Sequence, residues 1–120
     1  MILVDTSIWV DHFRQPDKQL VGLLDENAVM LHPFVLGELL LGGMPGDGPA
    51  AAALRTIPQA PVATVDETAI FITRSMLSGT GVGYVDTHLL VSARLLGTGR
   101  VLTKDKNLQA QAERLGVAHA

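Results

Sequence analysis

Four carboxylates in this 120-residue chain stand against apolar runs, where folding alone gives them little reason to be. Asp5 closes Ile2-Leu3-Val4, and Glu38 separates Phe34-Val35-Leu36-Gly37 from Leu39-Leu40-Leu41. Asp86 follows Gly83-Tyr84-Val85, and Asp105 follows Val101-Leu102-Thr103-Lys104. A lone ionised acid beside apolar neighbours carries a large desolvation cost unless something cationic compensates it. Four of them at the edges of one core repel one another as well. At a separation of ~4–5 Å and an effective dielectric of ~20, each close pair costs roughly 3–4 kcal/mol. A bound divalent metal, magnesium or manganese, removes that conflict.

The periodicity around these acids alternates between short apolar runs and helical spacing. Ile2–Val4 reads as a fully buried strand, because every position is apolar, and Thr6 to Phe13 as a helix directly after it. Leu20, Leu23 and Leu24 share a face of a helix ending near Asn27, and Val29–Leu31 reads as a second strand. Pro33 to Leu41 has proline at its start and Gly42-Gly43 at its end, the punctuation of a helix. A Gly/Pro-rich loop from Met44 to Pro49 leads into a short helix, Ala50–Ile57, and Pro61–Val65 is expected as a strand. Thr64 and Glu67 have capping-box spacing, which opens a helix with Ala69, Ile72 and Met76 on one face. Gly79, Gly81 and Gly83 lack the flanking pattern of a dinucleotide or phosphate-binding loop and read as a helix stop. Val85, Leu89, Ala93 and Leu96 recur at helical spacing up to Gly97. A strand over Arg100–Thr103 precedes a helix carrying Leu108, Ala112 and Leu115, and Val117–His119 is expected as a last short strand. Short apolar strands alternating with helices imply an α/β fold, a short parallel sheet covered by helices on both faces. No repeat, linker or second domain interrupts the pattern, so residues 1–120 are read as a single domain.

Composition narrows the function. Hydrophobic residues make up 48% and charged ones 18%, with a mean hydropathy of +0.30. That excludes a disordered tail, and it suits both a well-filled core and an apolar surface covered by a partner. With no cysteine, disulfides, zinc–thiolate sites and thiol catalysis are all excluded. No apolar stretch reaches the ~18–20 residues of a membrane span, and no signal-peptide pattern precedes the first strand. A cytoplasmic protein is the expectation. The net charge of −3 and a pI near 5.7 argue against a general nucleic-acid binder with a basic stripe. Setting the four acids aside leaves eight against nine Lys and Arg, a nearly neutral remainder.

In open parallel sheets, ligands gather beyond the carboxyl ends of the strands. Asp5 and Asp105 follow predicted strands, Asp86 begins a helix after a loop, and the Glu38 helix starts after the second strand. All four can therefore meet at one edge. Hard oxygen donors without a His/Cys cluster suit magnesium or manganese rather than zinc. Such a metal site serves phosphodiester hydrolysis by activating water and stabilising the leaving oxygen. Each acid also has a purely structural explanation: Asp5 and Asp105 as helix caps, Asp86 as a macrodipole partner, Glu38 as the partner of a buried arginine. Four such explanations at once are less economical than one site.

At these positions the chain resembles a known family. Leu3-Val4-Asp5-Thr6-Ser7, Gly37-Glu38-Leu39, Tyr84-Val85-Asp86-Thr87-His88 and Leu102-Thr103-Lys104-Asp105 with Leu108 are similar to the four acidic motifs of PIN-domain ribonucleases. The nearest likeness is to the VapC-like toxins of bacterial and archaeal toxin–antitoxin pairs. It runs from roughly Ile2 to Val117. The resemblance implies a PIN fold and a magnesium- or manganese-dependent endoribonuclease that leaves 5′-phosphate and 3′-hydroxyl ends. It carries over Asp5, Glu38, Asp86 and Asp105 as metal-binding and catalytic acids, Asp5 and Asp86 as direct ligands. It also implies a homodimer held inactive by a small antitoxin, a segment of which packs in the groove near the acids.

Other residues are less specific. Thr6, Ser7 and Thr103 can hydrogen-bond a ligand carboxylate, although capping explains the first two. His12, His32 and His88 are far apart in sequence and are not assigned to catalysis. Trp9 and Phe13, four apart on one helix, read as core or dimer contacts rather than a base-stacking platform. Arg14, Lys104 and Lys106 are candidates for phosphate contact and equally for solvated surface charge. A haloacid-type phosphatase needs an acid where Ser7 stands, and a signalling receiver needs a mid-chain acid, yet residues 50–65 contain none. The remaining rival is a PIN-like interaction module without activity, against which four intact acids count.

Overall fold

A computed structural model describes residues 1–119. It contains three strands, β1 (Ile2–Val4), β2 (Val29–Met30) and β3 (Arg100–Leu102), in one parallel sheet ordered β2-β1-β3. Ile2 pairs with Val29 on one side and with Arg100 on the other, so the first strand of the chain becomes the centre of the sheet. Successive side chains of a strand point to opposite faces. Ile2, Leu3 and Val4 are nonetheless all buried, so both faces of the sheet are covered. The covering is helical: α1 (Thr6–Arg14), α2 (Lys18–Asp25), α3 (Pro33–Leu41), α4 (Pro49–Thr56), α5 (Val65–Arg74), α6 (Tyr84–Leu96) and α7 (Lys106–Arg114). No helix among the described residues is long and apolar enough to cross a membrane.

One contiguous core joins Leu3, Val4 and Val101 of the sheet to Trp9, Leu20, Val35, Leu54, Leu89, Leu90 and Leu108 of the helices. At roughly 1.5–3 kcal/mol for each fully buried large apolar side chain, this core fixes where the strand ends lie. The α6–β3 packing is especially close. A Cβ built on Gly99 would stand 2.8 Å from the Ala93 backbone, so only glycine fits at that crossing.

Two expected strands are reduced. Residues 61–65 form no strand. The pairing occurs one step earlier, as a single bridge between Leu31 and Gln59, with Leu31 N–H donating to the Pro58 carbonyl and Ala60 N–H to that of Leu31. Pro61 has no N–H with which to continue the ladder. Its carbonyl instead accepts from the Ser92 hydroxyl of α6 at 2.6 Å, which ties the segment to a helix. Residues 117–119 contribute only the bridge between Val101 and Ala118.

The helix expected to carry Met76 ends at Arg74, with Met76 itself left-handed (φ 52°) and exposed. Leu77 is buried in its place, its N–H returning to the Ile72 carbonyl. The glycines beyond are correspondingly not the stop of that helix. Gly79 and Gly81 turn the chain with positive φ, and Gly83 is the N-cap of α6.

Candidate active site

Asp5 leaves β1 as the N-cap residue of α1, yet its side chain makes no capping hydrogen bond. It is buried and accepts two hydroxyls on Oδ2 instead, from Ser7 at 2.8 Å and Thr103 at 2.7 Å. The capping explanation therefore fails for Asp5. Thr103 lies just past β3, and its oxygen also accepts the Asp105 N–H at 2.9 Å. One hydroxyl thus links the carboxylate after β1 to the turn after β3. Asp105 does cap α7, accepting from Leu108 N–H at 2.8 Å, so its structural role is real and its position is fixed by it. Glu38, mid-way along α3, has no basic partner. It accepts the Thr6 hydroxyl at 2.7 Å, which binds α3 to the first turn of α1.

Asp86 stands in the first turn of α6 behind a glycine N-cap that offers no side-chain acceptor. A helix N-terminus favours negative charge, but here the opposite shift prevails. Burial, and after it the negative charges of Asp5, Asp105 and Glu38, push its carboxyl up from 3.8 to about 7. Asp5, Asp105 and Glu38 thus all act on the charge of Asp86.

Among the described residues, no basic side chain forms an ion pair with any of the four acids. The ion pairs among the described residues are those of Lys104 with Asp11 and Asp17, each at 3.5 Å, and neither involves the four acids. Hard, anionic oxygens without a basic partner fit a hard divalent cation by charge and donor type. Among the described residues, no three acid, imidazole or thiol side chains come together as a group that could hold a metal ion. Magnesium is commonly held by one or two carboxylates with several waters and substrate phosphates, so an open arrangement suits it.

Two histidines far apart in the sequence also meet in the fold. His32, the N-cap of α3, and His88 of α6 are both buried, with ring centroids 5.7 Å apart. His32 Nδ1 accepts the Phe34 N–H, which places the proton of the neutral ring on Nε2. That Nε2 and His88 Nδ1 are buried without a hydrogen-bond partner. Burial, and then the neighbouring His88, hold His32 down at about 4, and burial lowers His88 as well. Both rings are therefore neutral near pH 7. The only local signal is the i,i+4 spacing of Tyr84 and His88; the contact between α3 and α6 is tertiary. A separate cavity of about 400 Å³ lies along α1, lined by Trp9, Phe13, Leu24, Leu54 and Ile57 and by none of the four acids.

Strand-end acids around a three-stranded parallel core define the class: the PIN domain model matches residues 2–114, and the chain belongs to that family. It is 42% identical to Ribonuclease VapC32 of Mycobacterium tuberculosis, in strain CDC 1551 / Oshkosh and equally in H37Rv. The alignment covers all of this chain and 97% of that protein. Among solved structures, a chain of FitAB bound to an IR36 DNA fragment superposes with a TM-score of 0.63 at 19% identity. That superposition covers 98% of this chain and 92% of the other, a likeness of fold.

Proposed function

We propose that the protein is a magnesium- or manganese-dependent endoribonuclease, the toxin of a toxin–antitoxin pair, with Asp5, Glu38, Asp86 and Asp105 as its catalytic and metal-binding acids. The observation that carries this reading is that burial and the charges of Asp5, Asp105 and Glu38 raise the Asp86 carboxyl, while none of the four acids has an ion-pair partner among the described residues. Full-length identity of 42% to a protein named a ribonuclease supports the substrate class.

A bound divalent ion supplies a water of lowered pKa and charge stabilisation on the phosphate. The chain's own residues prepare the oxygens for it. Ser7 and Thr103 fix the Asp5 carboxylate, and Thr6 fixes Glu38. The cap on Leu108 N–H holds Asp105. Asp86, raised to about 7 by burial and its acidic neighbours, would lose its proton more readily if positive charge entered the cluster.

We read residues 1–120 as one cytoplasmic domain. Exposed Phe13, Leu41, Val65 and Ile70 are the apolar surface that a homodimer contact and a small antitoxin would cover.

Cleavage of total RNA by the purified protein, with magnesium, manganese or chelator and beside Asp86→Asn, tests the proposal. Metal-dependent cutting that disappears in the variant is expected. Cutting retained by Asp86→Asn would overturn the site, and no cutting by either protein would favour the inactive interaction module.

A further inference from the structure

Two exposed aromatic rings, Phe34 of α3 and Tyr84 of α6, pack against the same buried imidazole. Phe34 and Tyr84 are 37% and 54% exposed, whereas His88 is 2% exposed. Phe34 meets His88 edge-on with centroids 4.7 Å apart, and Tyr84 meets it at 4.8 Å from the other helix turn. His32 packs edge-on against Phe34 at 5.0 Å and completes the support. Edge-to-face packing of this kind restrains ring orientation, and part of each ring stays accessible to solvent.

Their placement follows from helix geometry. Phe34 and Glu38 are four apart in α3, on one face and one turn of about 5.4 Å from each other. Tyr84 lies two positions before Asp86 in the first turn of α6, on a different side of the helix. The aromatic pair is thus built on the same two helix segments that present two of the four acids.

We propose that Phe34 and Tyr84 form a stacking shelf for an unpaired base of single-stranded RNA next to the bond that is cut. This rests on the ribonuclease reading and adds a substrate conformation to it. Stacking is the recognition chemistry the surroundings permit. The chain carries a net charge of −3, and Lys104, beside Asp105, is shared between Asp11 and Asp17. A π-face engages any base without charge and without sequence preference. Duplex RNA keeps its bases stacked on one another and cannot offer one to the shelf.

The test compares two fluorescein-labelled 12-mers of equal charge, oligo(rA) and a base-free ribose-phosphate chain, by anisotropy. Calcium serves as the divalent ion, and the oligomers are checked to be intact after the measurement. The native protein is expected to bind oligo(rA) more tightly than the base-free chain. Phe34→Leu and Tyr84→Leu should each weaken oligo(rA) binding by about 5–100-fold and leave the base-free chain unaffected. Tyr84→Phe, which keeps the ring, should bind as the native protein does, and thermal melting verifies that each variant folds. Equal affinity of the native protein for both oligomers, or equal losses on both in the variants, overturns the shelf. Unchanged oligo(rA) binding by both leucine variants overturns it too and makes the rings a protein contact. Metal-dependent cleavage of total RNA, run beside these measurements, tells failure of the shelf from failure of the ribonuclease reading.

Discussion

Helices α5 and α6 both begin with acids in the first turn, under the same favourable dipole, and the two N-termini treat those acids in opposite ways. At α5, Thr64 accepts the Glu67 N–H at 3.0 Å and Glu67 accepts the Thr64 N–H at 2.8 Å. These bonds hold the Glu67 carboxyl below its ordinary value. At α6 the cap is glycine, the acid turns toward three others, and Asp86 is driven up to about 7. The first acid stabilises its helix. The second is held against its own charge by the rest of the fold, which makes it a candidate for a functional site.

Four measurements sharpen or break that contrast. The largest effect is expected for Asp86→Asn, which should lower RNA cleavage by about 10²–10⁴-fold while the protein stays folded; near-native activity would make Asp86 a bystander. Thr103→Val follows. It removes the donor to Asp5 and the acceptor of the Asp105 N–H together. Cleavage should fall about 10–100-fold, as for groups that orient metal ligands, with a stability loss of about 1–3 kcal/mol. Loss of stability alone, with kcat intact, would make Thr103 structural only.

The third measurement is stability against pH without metal. Asp86 binds its proton more readily in the folded chain, at about 7, than in the unfolded one, at 3.8. Its contribution therefore falls as pH rises through that window and is fully lost above about 7. Asp86→Asn should match the native protein at about pH 4 and exceed it at pH 8. Because the group is only half-buried, solvent screening limits the gain to about 1–2 kcal/mol. A native protein that outlasts Asp86→Asn at pH 8 under chelation would refute the mutual repulsion. The smallest effect is expected for Glu67→Ala, a slightly lower Tm with cleavage unchanged. A change in cleavage would mean that the two helix starts are not separate in function.

The same contrast explains what the sequence made legible. The four acids stood out because each interrupts or ends an apolar run, a signal that survives without coordinates. The capping box at Thr64 and Glu67, the Pro33 start of α3 and the strands at Ile2, Val29 and Arg100 are equally local, and all were expected. What failed depends on partners distant in sequence. Residues 61–65 have the composition of a strand, yet the proline and the Ser92 hydroxyl of α6 take them off the sheet. Met76 fits the helical period of α5, and the return of Leu77 N–H to Ile72 ends the helix before it. His32 and His88 are 56 positions apart, and only the packing of α3 on α6 brings their rings together. Trp9 and Phe13, alike in helical spacing, part in the fold: Trp9 is core and Phe13 is exposed.

The hydrogen bond from Thr103 to Asp5 spans 98 positions of sequence, and β1 lies between two strands of which one is formed by residues 100–102. On the ribosome, Asp5 emerges first, while Thr103 and Asp105 follow about 100 residues later, at ~5–20 residues per second. Until then the central strand lacks a neighbour and the acids lack a common edge to share. An unfinished or truncated polypeptide ending before β3 therefore carries three of the four carboxylates but no assembled centre. For a chain that cuts RNA, this ordering postpones the hazard until synthesis of the domain is nearly complete.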